Sequence, residues 1–392
     1  MPKGQRMALK GTNQEFGRPY NRRIVLESVR LHSPTTRGEI ASRVGLTVQT
    51  VSTIVRELEE QNYLVSFREN PRGRGLPPSL LRLNPEGGFA IGVNITPIGI
   101  NAALVDLSGT VVASRHRAIR NASPATAFKT IGAMTPGLVA ARPQGRMLGI
   151  GMALPGPFGV ESMSFVGPTT MAGWENVAIR ERLTELTGLP AFLETDMAAA
   201  ALGEQLYGLG KHYSDYYYLY FGVGLGGALV HEGRVMRGAR GNAGEIGHIP
   251  VVPDGEPCPC GNRGCLERYV SLDAYHRAGK CEADWLRTVA PTFRNAITTI
   301  ENLFDPETVV LGGLASVDML DRLAEFAADL PNSIAARRER ETPRIVVARG
   351  GEHAVLRGAA ALAVSGVLSP RFGRMFTGDH GRDILDGKGI AA

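Results

Sequence analysis

Two hydrophobic periods divide the chain. Over residues 21–31, Ile24, Val25, Leu26, Ser28 and Val29 form a partly apolar helical face, and Ser33-Pro34 breaks it. Residues 37–44 repeat the period through Ile40, Ala41 and Val44, and Gly45 supplies the left-handed residue that a tight helix-helix turn needs. Thr47 is placed to cap a third helix, in which Val51, Ile54, Val55 and Leu58 face inward. Its outward face presents Gln49, Thr50, Ser52, Thr53 and Arg56, groups suited to phosphates and base edges in a major groove. The pattern predicts a helix-turn-helix. Residues 63–67 and 79–83 then read as short strands joined by RENPRGRGLPP, so the hairpin completes a winged helix. Arg72 and Arg74 on that Gly/Pro-rich turn suit a narrow minor groove, with a basic linker as the alternative.

From Phe89 onward the period is that of buried strands punctuated by glycine. Residues 91–93, 100–107 and 111–114 predict a meander turning at Ser108-Gly109, and 148–153 a further strand ending at Pro155-Gly156-Pro157. Helices are expected over 177–187 and 197–207, a second meander over 216–222 and 226–231, and a strand over 308–311 ending in Gly312-Gly313. Strands and helices thus recur twice, predicting an α/β protein of two similar lobes around a cleft. The tail 369–392, rich in Gly, Asp and Arg, reads as frayed, with no role assigned, as does the stretch 1–20.

Charge changes this picture more than composition does. Of 392 residues, 43% are hydrophobic and 21% charged, ordinary for a globular chain. Residues 1–83 carry 14 Lys+Arg against 7 Asp+Glu, whereas the remainder is slightly acidic. A basic module on a near-neutral body suggests a nucleic-acid partner, because neutralising phosphates releases counterions; a solvated basic surface is the alternative for the charge taken alone, and the helix-turn-helix pattern decides for a double-stranded DNA operator. No apolar run reaches the ~18 residues of a membrane span and no signal-peptide core is present, so no membrane partner and a cytoplasmic, nucleoid-associated location are expected. Four cysteines in so long a chain form no disulfide framework, and closely spaced ones suggest metal.

Three of those cysteines and a histidine crowd into IGHIPVVPDGEPCPCGNRGCLER. Together with YFGVGLGGALVHEGRVMRGARGNAGEIGH, this stretch resembles the signature of the ROK family, whose name joins repressors, open reading frames and sugar kinases. The resemblance runs from about residue 21 to 362, and the N-terminal helix-turn-helix is similar to the repressor branch. It implies a winged helix-turn-helix followed by a two-lobed actin-like, ribonuclease-H-like domain, with boundaries expected at 21–83 and 84–368. Spacing and resemblance together make His248, Cys258, Cys260 and Cys265 a closed Cys3His site for one structural zinc, with Gly261 and Gly264 permitting the bends between ligands. Cys281 falls outside the set.

The resemblance further implies that Glu245, His248 and Glu267 line a sugar pocket. The family's kinases carry a motif like ENDANxAALGE, read here as ETDMAAAALGE: Asp196 stands at the general-base position, and Thr195 replaces a sugar-binding asparagine. The nucleotide motifs depart further. IGVNITPIGI stands for a turn like GxDxGGT, so Asn94 replaces the aspartate and Pro97 removes an amide donor, while GVGLGG stands for GTGIGG, with Val223 lacking the hydroxyl. Losing these groups is expected to cost several kcal/mol of transition-state stabilisation, leaving Asp196 a vestigial base. The wing reads GRGLP where related repressors have GRGRP. The expected function is a sugar-responsive transcriptional regulator, a repressor acting as a homodimer or dimer of dimers on a palindromic operator. A sugar kinase with an accessory DNA-binding domain is the alternative. Hexose, pentose and amino sugar are all open as effectors.

Overall fold

The computed structural model describes residues 17–68, 78–96, 98–120, 122–156, 171, 173–175, 177–239, 241–335 and 340–368. The expected wing-tip contacts of Arg72 and Arg74 lie outside the described residues, as do Pro97, residues 1–16 of the N-terminal tail and the whole C-terminal tail.

The first helix, α1 (Arg18–His32), begins three residues ahead of its apolar pattern. Pro19 falls in the first turn, where a missing N–H leaves no helical hydrogen bond unmade. Helix α2 (Arg37–Val44) starts with a reciprocal cap between Thr36 and Glu39 and ends at Gly45, φ 69°. In α3 (Val48–Glu60) the Thr47 hydroxyl accepts from the Thr50 N–H, and Val51, Ile54, Val55 and Leu58 are buried. Strands β1 (Leu64–Phe67) and β2 (Leu80–Leu83) pair antiparallel, Leu64 opposite Leu83. These elements form the expected winged helix.

The first lobe follows as β3 (Phe89–Thr96), β4 (Gly99–Asp106), β5 (Val111–Ala118), α4 (Pro124–Val139), β6 (Met147–Leu154), α5 (Ile179–Thr187) and β7 (Ala191–Thr195). The helix α6 (Asp196–Tyr207) leads to the second: β8 (Tyr216–Phe221), β9 (Leu225–His231), β10 (Arg234–Val235), α7 (Leu272–Ala278), α8 (Glu282–Phe304), β11 (Thr308–Gly313), α9 (Val317–Phe326), β12 (Ile345–Val347) and α10 (Ala354–Leu368). The two sheets, ordered β5-β4-β3-β6-β7 and β10-β9-β8-β11-β12, share one plan. In each, an antiparallel meander meets two parallel strands. Two similar lobes were expected, and the sheets bear them out.

Helices α6 and α10 pack between the lobes and against the head. A Cβ on Gly358 would lie 1.9 Å from the Ala199 carbonyl oxygen, and one on Gly151 1.8 Å from that of Ala359, so small residues bring α10 directly onto α6 and β6. One continuous buried cluster joins Ile24, Val25 and Leu58 of the head to Leu202 and Leu206 of α6 and Leu356 and Ala360 of α10. Among the described residues, no helix is long and apolar enough to cross a membrane.

Candidate functional site

The outer face of α3 is as the apolar period required. Gln49, Thr50, Thr53 and Arg56 are exposed and Ser52 is half-buried. The Thr50 and Thr47 hydroxyls lie 2.8 Å apart, and the Thr53 hydroxyl donates to the Gln49 carbonyl at 3.2 Å. Two of these side chains are therefore oriented by the helix itself. Val48, 54% exposed at the start of the same helix, adds an apolar group of the kind that meets a thymine methyl. It passes unnoticed in the sequence because an apolar residue at a helix start reads as core.

The Cys/His loop converges on a point. The ligand atoms of His248, Cys258, Cys260 and Cys265 all lie within 4.8 Å of one another. Cys258 Sγ is 3.6 Å from His248 Nδ1, and Cys260 Sγ is 3.7 Å from Cys265 Sγ. A zinc ion with Zn–S bonds of about 2.3 Å makes tetrahedron edges of about 3.7 Å, so the donor set and its spacing fit that ion. Backbone geometry builds the knuckle: the Cys258 N–H donates to the Asn262 carbonyl, the Gly261 N–H to the Cys258 carbonyl, and Gly261 has φ 95°. Arg268 and Arg277 both pair with Glu256 and Asp273, holding the loop onto α7. Cys281 is exposed at the start of α8, its thiol donating to Asp284.

The proposed sugar ligands surround the same loop. His248 turns Nε2 to within 3.9 Å of Glu245 Oε2, and its Nδ1 lies 3.6 Å from Glu267 Oε1. Glu267 Oε1 also accepts from Cys258 Sγ at 3.2 Å, placing that carboxylate against the Cys/His cluster. Thr195 ends β7 and caps α6: its hydroxyl oxygen accepts from the Ala198 N–H. What it turns toward Glu245 is a methyl. A Cβ on Gly156 would lie 3.6 Å from both Thr195 Cγ2 and Glu245 Oε1 and 3.8 Å from Asn242 Oδ1. Burial pushes the Asp196 carboxyl up to about 6, against the Met197 N–H that it accepts from. Glu245 is also raised, by burial and then by the charges of Asp196 and Glu267.

The turns expected on the nucleotide side carry different groups among the described residues. Asn94 is 4% exposed, and its Oδ1 has no partner among the described residues. At the β3–β4 turn the Ile98 N–H donates to Thr96 Oγ1, which donates in turn to the Gly99 carbonyl, while the Ile98 side chain is 63% exposed. In the glycine turn between β8 and β9 the Gly222 N–H donates to the Gly224 carbonyl, and Val223 is 48% exposed. Among the described residues of these two turns, these hydrogen bonds are internal and Ile98 and Val223 face solvent, unlike a phosphate cradle.

Residues 90–365, most of the chain, match the family described as ROK. The chain belongs to the ROK family. Residues 19–65 match winged helix-turn-helix DNA-binding domains. The xylose repressor of Bacillus subtilis (strain 168) is 28% identical over 264 residues, 67% of this chain and 68% of the repressor. A Streptomyces coelicolor glucokinase is 33% identical over 198 residues, 50% of this chain and 61% of the kinase. Among solved structures, a ROK family transcriptional regulator, a homolog of the E. coli MLC protein, superposes with TM-score 0.69 at 23% identity, covering 91% of this chain and 98% of that one. A ROK glucokinase from Streptomyces griseus, in complex with glucose and AMPPNP, gives TM-score 0.57 at 25% identity over 70% of this chain and 99% of that one.

In this ROK chain the head meets the lobes through a polar joint that sequence reasoning missed. Arg30 of α1 donates to the Leu206 carbonyl at 2.9 Å and the Gln205 carbonyl at 3.3 Å, the last turn of α6. Glu27 holds the same guanidinium by two hydrogen bonds, 2.8 and 2.6 Å. The partners are some 175 residues apart, and no local pattern announces such a contact. Arg237, likewise unforeseen, forms an ion pair with buried Glu194, the residue before Thr195.

Proposed function

We propose that this ROK chain is a sugar-responsive DNA-binding transcriptional regulator, a repressor, with its DNA-reading head in residues 21–83 and its sugar-binding part in 84–368. One observation carries the reading. Helix α6 bears Asp196 in its first turn and receives Arg30 from the head at its last, so one rigid element of about 18 Å, at 1.5 Å per residue, touches the sugar pocket and the DNA-binding head. A sugar hydrogen-bonded by Asp196, Glu245, His248 and Glu267 shifts α6, and α6 shifts α1. The sugar alters operator affinity only by its differential affinity for the two arrangements. Relatives named xylose repressor support the assignment to this branch.

His248, Cys258, Cys260 and Cys265 would hold a zinc ion, whose contribution would be structural: fixing the loop and the orientation of the His248 ring. The self-satisfied phosphate turns speak against sugar phosphorylation, and Asp196 serves as an acceptor rather than a base. A homodimer presents two α3 helices to a palindromic operator. Gel shift against the gene's own upstream region, with and without D-xylose, D-glucose and N-acetyl-D-glucosamine, tests the proposal. Retardation altered by a sugar is expected; ATP-dependent phosphorylation of a sugar at ~1 s⁻¹ or faster, without retardation, overturns it.

A further inference from the structure

One wall of the proposed sugar pocket includes a residue with no role assigned so far. Gly156, Thr195, Glu245 and Asn242 meet at one point: a side chain at Gly156 would lie within 4 Å of Thr195 Cγ2, Glu245 Oε1 and Asn242 Oδ1. Thr195 brings a methyl there, because its hydroxyl oxygen is held by the cap of α6. The polar atom beside Glu245 on that wall is Asn242's amide oxygen.

Its loop is well anchored. The Ala243 N–H donates to the Arg237 carbonyl at 3.0 Å. Arg237 pairs with Glu194 on the strand that ends in Thr195. The Tyr217 hydroxyl donates to the Gly244 carbonyl at 3.0 Å, and a Cβ at Gly244 would lie 2.1 Å from the Gly227 carbonyl oxygen. Asn242 thus sits between two fixed points, pre-organised as a specificity contact must be.

We propose that Asn242 is a specificity-determining sugar contact: its carboxamide hydrogen-bonds a ring hydroxyl next to the one held by Glu245, while the Thr195 methyl packs against the neighbouring C–H face. The inference rests on the sugar pocket proposed above. A site built to hydrogen-bond a hydroxyl discriminates against sugars that present it differently.

Isothermal titration of D-xylose, D-glucose and N-acetyl-D-glucosamine into the zinc-loaded full chain, unaltered and as Asn242→Ala and Thr195→Asn, decides it. The expected result is about a tenfold loss for the preferred sugar in Asn242→Ala, with a changed affinity ratio among the three. Thr195→Asn, which restores an amide to the wall, is expected to alter that ratio again. Melting temperature without sugar separates misfolding from lost contact. Equal affinities for unaltered and Asn242→Ala chains, or a uniform loss across all three sugars, overturns the assignment of Asn242 and leaves the pocket standing. Binding of none of the sugars by the unaltered chain overturns the pocket as well.

Discussion

Breaking the Arg30 joint should uncouple sugar from DNA while leaving both binding sites intact. Arg30 is 8% exposed along its side chain, and its Glu27 partner 16%. Truncating Arg30 alone would strand a half-buried carboxylate and two helix-end carbonyls, at up to about 3–5 kcal/mol, enough to unseat the head. The double change Glu27→Gln, Arg30→Met removes the orphaned charge and retains an unbranched side chain. Its cost is mainly the charge-assisted bonds to Gln205 and Leu206, about 1.5–3 kcal/mol each in the folded joint, partly returned by water and packing.

The assay is fluorescence anisotropy of a labelled upstream duplex at fixed salt, titrated with and without saturating sugar. Couplings of 1–3 kcal/mol, roughly 5- to 150-fold, are usual between linked sites. In the double variant the ratio of the two DNA affinities should fall below about threefold, with sugar affinity measured without DNA unchanged. Linkage adds a second check, because DNA must change sugar affinity by the same factor that sugar changes DNA affinity. A variant that keeps the full ratio would refute the Arg30 joint as the route, whatever its stability.

Three further outcomes follow from the sites. Metal analysis of purified protein should find about one zinc per chain, and Cys260→Ser should lose most of it together with sugar response; a full complement in that variant would remove the four-ligand assignment. Asp196 has its carboxyl raised to about 6, so if a hydroxyl hydrogen is donated to it, sugar affinity rises with pH through 6 and is about tenfold weaker at pH 5 than at pH 7. The same raised value means that ionising Asp196 destabilises the fold, a penalty that grows between about pH 4 and 6 and is complete above; a flat affinity profile would show that this carboxylate does not contact sugar. Arg56→Ala should weaken duplex binding and, if it meets a phosphate, reduce the slope of log affinity against log salt by about 1; an unchanged slope assigns it to a base edge or to no contact.

How much of this was legible in the chain depended on whether the deciding contact was local. Helices α2 and α3 announce themselves through Gly45 and Thr47, whose capping roles are settled within four residues. The metal cluster is similarly close in sequence, and its donor types admit few readings. By contrast α10, AVLRGAAALAVSGVL, has small or apolar residues almost all round and offers no amphipathic period; it is nonetheless the helix on which the lobes and head meet. Thr195 shows a finer limit. Its type and place before a helix favour an N-cap, yet reading it as a sugar hydroxyl required only the motif. Arg30, Arg237 and Asn242 depend on partners fixed by tertiary packing, so their roles emerge only from the fold.

The division of the cleft has an energetic reason. A monosaccharide bound with Kd between 1 mM and 1 μM contributes about 4–8 kcal/mol, and only the part that differs between two arrangements biases the head. Moving a two-state equilibrium from 1:99 to 99:1 needs about 5.5 kcal/mol of that difference, most of what a tight sugar site has in all. A kinase uses such energy to position a phosphoryl acceptor; a regulator must keep it for the conformational change, so there is no gain in also ordering a nucleotide at the turns around Ile98 and Val223. Were two chains paired on one duplex, as proposed above, two sugars would act on a single DNA-binding event and each would need to supply only half of the bias.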